Sequence, residues 1–163
     1  MGRSRAYWRG NLYPDPKRPP DPDAPSHDLP PIAARQFEAL RDGLLSLPGI
    51  RERVKYQGEP WRWVWEYSSG SRRVCWLHVM ETGLAGTFTV AATAEGELLA
   101  SVDPDGPVAK AIRTGQRTGP VKWCWLGLED GRAMDAFVRF ARGRIEMLAR
   151  EASVSTVYRH RAG

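Results

Sequence analysis

The stretch Trp61-Arg62-Trp63-Val64-Trp65-Glu66-Tyr67 decides the fold. Large rings recur at every second position, and a pleated strand sends successive side chains to opposite sides. Trp61, Trp63, Trp65 and Tyr67 are therefore expected on one flank of a strand, with Glu66 on the other. Val121-Lys122-Trp123-Cys124-Trp125 repeats the pattern and is expected to add Trp123 and Trp125 to the same aromatic face. Each ring can hide about 150 to 250 Å². The first strand alone thus offers roughly 600 to 1,000 Å², more than the roughly 300 to 600 Å² of the largest patch a monomer usually exposes. Something must cover that face.

Outward from this strand the β pattern continues. Arg72 to Met80, Gly86 to Ala92 and Val121 to Leu128 are β-rich runs, with Leu98 to Val102 as a further candidate strand. Ser68-Ser69-Gly70-Ser71 and Glu81-Thr82-Gly83-Leu84-Ala85 are short turn sequences, so consecutive strands should be antiparallel. Before the strands, Ala33, Phe37, Leu40, Leu44 and Leu47 mark one stripe of a helix from about Ile32 to Leu47, opened by Pro31 and closed by Pro48-Gly49. Asp103-Pro104-Asp105-Gly106-Pro107 opens a short helix to about Thr114. Met134, Phe137, Val138, Ala141, Ile145 and Leu148 make a second long stripe between Gly131 and Glu151. The expected architecture is α+β: an antiparallel meander of four to five strands, with two main helices and one short helix on one face.

With 163 residues, the chain is long enough for one domain with its own core. Residues 1–30 carry most of the thirteen prolines and few apolar anchors, which implies an extended or disordered arm; Tyr7, Trp8, Leu12 and Tyr13 are its docking candidates. The domain proper is expected over residues 31–152, and residues 153–163 as a frayed polar tail. No run is apolar enough to span a membrane and no secretory signal opens the chain, so a soluble cytoplasmic protein is expected.

The net charge of +5 permits contact with nucleic acid. Alternation, however, places Arg62 opposite the rings, so a base-stacking platform is disfavoured. Cys75 and Cys124 lie in apolar runs and read as buried thiols. Cys75 and His78, three apart on a strand, point to opposite faces and cannot share a metal, so neither metal nor cofactor is expected. No phosphate loop, nucleophile elbow or calcium loop survives inspection of the sequence.

Three readings of the aromatic face follow. The helices can cover it as core. The rings can instead wall a slot for a small apolar or planar ligand, built from Trp61, Trp63, Trp65, Tyr67, Trp123 and Trp125 with Tyr56 and His78 as polar contacts. Or a protein partner or second copy can cover it, with the N-terminal arm as another contact. The second is the leading functional reading, a non-enzymatic binding domain. A hydrolase-like enzyme using Glu59, Glu81 or His78 is the remaining alternative, and it requires two of these groups to converge.

The order Lys55-Tyr56-Gln57-Gly58, then Trp63 in a strand, Arg73 to Leu77 in the next, and Gly83 to Phe88 with Val90 in the third resembles a bacterial family, domain of unknown function 3788. Lys122-Trp123-Cys124-Trp125-Leu126 and the helix from Met134 to Leu148 also fit, so the resemblance spans about Pro48 to Leu148. It implies an α+β fold and supplies no activity, cofactor or catalytic residue.

Overall fold

The computed structural model describes residues 4–161. A one-turn helix, α1 (Arg5–Trp8), is capped by Ser4, whose hydroxyl oxygen accepts the Tyr7 N–H at 3.3 Å. A second single turn, α2 (Pro25–Asp28), precedes α3 (Pro31–Leu45). Four strands follow: β1 (Ile50–Tyr56), β2 (Trp63–Ser69), β3 (Arg72–Met80) and β4 (Gly83–Ala91). A 3-10 turn (Ala92–Ala94) leads into α4 (Glu95–Ala100) and then α5 (Pro107–Thr114). The short β5 (Gln116–Thr118), β6 (Val121–Gly127) and the long α6 (Gly131–Arg161) complete the chain.

The α+β class stands, with one six-stranded antiparallel sheet in the order β1-β2-β3-β4-β6-β5. In the meander β1 to β4, two-residue turns join β2 to β3 and β3 to β4, while a six-residue loop, 57–62, joins β1 to β2. Between β2 and β3, Gly70 takes φ 58°, a left-handed backbone that suits a residue without Cβ. The sheet exceeds the expected four to five strands, and two of its six lie outside the expected runs. These two are the polar, weakly patterned β1 and the three-residue β5. The stretch from Leu98 to Val102 is not a strand: Leu98 lies buried on α4 and the helix ends at Ala100.

Helices α3, α5 and α6 cover one face. Phe37 of α3 meets the Trp65 ring edge-on with centroids 5.7 Å apart, and Phe140 of α6 packs on Phe88 at 4.2 Å. Two glycines permit this closeness. A Cβ on Gly86 would stand 2.7 Å from the Phe137 ring, and one on Gly43 would stand 3.3 Å from Val138 Cγ2. Gly43, a weak helix former, therefore sits where α3 and α6 cross.

The arm, expected to be extended or disordered with Tyr7, Trp8, Leu12 and Tyr13 as docking candidates, is built into the sheet, with Leu12 and Tyr13 packed on the core, and its first helix corrects the one-sided helix layer. Helix α1 lies on the face opposite α3 and α6, where the Trp8 and His78 rings are 4.6 Å apart. The chain then passes between β2 and β3 beyond their last paired residues. There the Gly10 carbonyl accepts the Glu81 N–H at 2.8 Å, and the Leu12 N–H donates to the Val79 carbonyl at 3.0 Å. Buried Asn11 donates through Nδ2 to the carbonyls of Trp61 and Trp63, both at 2.8 Å, while its Oδ1 accepts the Tyr13 N–H. Emerging on the helix-covered face, the arm accepts the indole N–H of Trp63 at Asp15 O (2.8 Å) and that of Trp65 at Pro22 O (2.9 Å). The expected frayed tail is helical as well: α6 runs to Arg161, exposed from Ala149 onward.

Candidate functional site

Cross-strand register assigns every strand residue to a face, because partners directly opposite each other point the same way. Trp65 pairs with Leu77, and Tyr67 with Cys75. These side chains belong to the helix-covered core. Glu66 pairs with Trp76, Trp76 with Thr87, and Thr87 with Trp125, so these four share the other, open face. Trp123, opposite Thr89, joins them.

The single aromatic face expected from the sequence is therefore divided between the two sides of the sheet. Trp63, Trp65 and Tyr67 are buried against helices and arm. The Tyr67 hydroxyl donates to Glu52 Oε2 at 2.8 Å, and Arg41 grips that carboxylate through both Nε and Nη2. Tyr56 stands beside Trp63, and its hydroxyl donates to Glu59 at 3.3 Å. Trp61 leaves the series for a local reason. Arg62 adopts φ 64°, and a left-handed residue breaks the two-residue repeat, so Trp61 lies outside β2.

Trp61, Trp123, Trp125 and His78 instead meet on the open face, around a groove of about 630 Å³. Trp8 and Trp76 complete its aromatic walls. Exposed Arg5, Gln116 and Thr118 and half-buried Gln57 add polar lining. Trp76 and Trp123 are tilted partners with centroids 5.6 Å apart. Trp8 and Trp76 are each only 6% exposed, whereas Trp61 and Trp123 retain 43% and 47%. The groove thus has fixed rings within it and two indoles open to solvent.

Two polar groups mark the groove. His78 and Thr87, both buried, join through Nε2 and Oγ1 at 2.7 Å. His78 Nδ1 makes no hydrogen bond to a described residue. Burial pushes this imidazole down to about 3, so it is neutral at ordinary pH. The indole N–H of Trp76 donates to Glu66 Oε2 at 3.0 Å, which ties the groove to a charged cluster behind it.

The three proposed acid–base residues do not gather around this groove. Glu59 is exposed in the β1–β2 loop, bound by Tyr56 and Arg62, and Glu81 is exposed at the β3–β4 turn. Only His78 of the three lines the groove. Among the described residues no group of three or more His, Cys, Asp or Glu is placed to hold a metal. No described helix is long and apolar enough to cross a membrane.

Two walls of the groove, Trp76 and Trp8, are absent from the sequence-predicted site residues. Trp76 is two apart from the predicted His78 on β3, and that spacing is readable as a shared face. Trp8 is separated from both by most of the arm and the first strands, and only the arm's path through the sheet brings it there. Comparison with family models, curated proteins and solved structures finds no match to this chain.

Proposed function

We propose that this protein is a non-enzymatic binding domain that takes a small planar, largely apolar ligand on the open face of its sheet. The observation that carries this reading is the pair of half-exposed indoles, Trp61 and Trp123, beside a groove walled by three further tryptophans. Its volume falls within the range of about 300 to 1,000 Å³ usual for small-molecule sites, and its mix of rings with a few polar atoms is the usual lining. His78 Nδ1 is itself buried, so the polar groups within a ligand's reach are those of exposed Arg5, Gln116 and Thr118 and half-buried Gln57. Catalysis would need a second titratable group beside that imidazole, and none of the described residues that line the groove is a carboxylate. The resemblance to domain of unknown function 3788 belongs to this reading without assigning a ligand. We place the protein in the cytoplasm; its two free thiols, Cys75 and Cys124, are buried and inert, pushed up to about 12 and 11 mainly by burial.

Titration of tryptophan emission with a panel of planar aromatic compounds tests the proposal. At least one should quench or shift the emission. Trp123→Ala should weaken its binding about tenfold, on the scale of one lost ring contact. Trp63→Phe, on the covered face, should leave the affinity unchanged. Emission indifferent to the whole panel, in a folded protein, would end the binding reading.

A further inference from the structure

An aromatic groove by itself does not choose its ligand's charge. Indole faces attract cations, so a walled site of this kind would also suit an ammonium group. The charges around it decide the matter. Among the described groove-lining residues, the single charged side chain is Arg5, and none is acidic.

Immediately behind Trp76, three cations surround one carboxylate. Glu66 Oε2, which accepts the Trp76 indole N–H at 3.0 Å, also lies 3.4 Å from Arg73 Nε and 3.9 Å from Lys55 Nζ. Arg53 Nη2 is 3.7 Å from Glu66 Oε1. The carboxylate is buried with 8% of its side chain exposed, while the Arg53 and Arg73 side chains are 64% and 59% exposed. One negative charge cannot neutralise three positive ones, and the two arginines keep most of their donors facing water. The surplus lies one indole away from the groove, with Arg5 adding to it at the groove itself.

We infer that the ligand is an aromatic acid: a planar ring held between the groove's indoles, carrying a sulfonate, phosphate or carboxylate group that faces Arg53 and Arg73. This rests on the binding reading above and adds the sign of the charge. A planar fork of N–H donors suits such oxyanions, and Glu66 then serves to hold the guanidiniums in place while leaving their outer donors free. A cationic ligand would meet Arg5 and this surplus without a carboxylate to receive it.

Two dyes of the same ring system separate the claims: 8-anilinonaphthalene-1-sulfonate and uncharged N-phenyl-1-naphthylamine, each titrated by fluorescence into the full chain. The sulfonate should bind about tenfold more tightly at low salt, the scale of a few partly exposed ion pairs, and the gap should narrow as salt rises. Arg53→Gln with Arg73→Gln should cut most of the preference, leaving what Arg5 contributes, and should leave the neutral dye's affinity unchanged. Since that pair removes two of the three cations around Glu66 and could unsettle the fold, Glu66→Gln provides an independent check. It keeps an acceptor for Trp76 and should raise sulfonate affinity severalfold with no change for the neutral dye. Equal binding of both dyes, or a preference indifferent to all three substitutions, would overturn the assignment while the groove reading survives. Binding of neither dye overturns the assignment, and the groove reading falls with it if the wider panel also leaves the tryptophan emission unmoved. A short single-stranded oligonucleotide that displaces the sulfonate dye far more strongly than its mononucleotide would overturn the small-ligand assignment in favour of a nucleic-acid strand.

Discussion

His78 shows how one buried ring couples the open face to acid stability. In the unfolded chain this imidazole takes up a proton below about pH 6.5, whereas in the fold burial holds its pKa near 3. Between those values unfolding binds a proton, so stability falls as pH falls, by up to about 1.4 kcal/mol per pH unit. Above pH 6.5 the ring has no effect. His78→Gln, which can keep a polar contact with Thr87, removes that proton. Denaturant midpoints from pH 7 to pH 4 should therefore converge: the wild type starts ahead and loses its lead on acidification. Parallel profiles for the two proteins would contradict a neutral buried imidazole. Sequence makes part of this visible. The apolar run Val74 to Met80 predicts burial of His78, but Thr87 as its partner depends on how β3 registers on β4.

Among the elements, α3 and α6 are legible in the sequence because apolar residues at three- and four-residue spacing directly record the face a helix buries. The β2–β3 hairpin is legible for a similar reason, since a glycine turn joins two strand-like runs. Which rings share a face is not legible. That depends on the left-handed Arg62, which stops the repeat before Trp61, and on pairings relayed through β3 and β4, which set Trp125 opposite to Trp65. The arm is the least legible element. Its docking candidates Trp8, Leu12 and Tyr13 do pack on the body, but its path is set by main-chain hydrogen bonds, the Asn11 side chain and two indole N–H groups, which composition does not record. Asn11 is the clearest test of its role. Asn11→Ala removes the donors to two buried carbonyls and the acceptor for Tyr13, so chemical denaturation should show a loss of about 1 to 3 kcal/mol. A change of a few tenths would mean that the arm is a passenger.

At the scale of the whole molecule, the packed unit ends before its last helix does. Every described residue beyond Leu148 is exposed, including Val154 at 55%, Val157 at 54% and Tyr158 at 72%. Truncation after Arg150 should accordingly leave the melting temperature and the tryptophan spectrum of the monomer unchanged. A marked drop in the melting temperature would reveal that these last turns contact the body or a second copy. The α+β class itself is legible from the order of patterned segments, whereas the sixth strand and the through-sheet passage depend on contacts between distant parts of the chain.

That passage joins two jobs in one ribbon of polypeptide. Upstream of the crossing, Trp8 walls the candidate site; downstream, Asp15 and Pro22 seal the tryptophans of the core. A protease cut near the crossing would therefore loosen both sides at once.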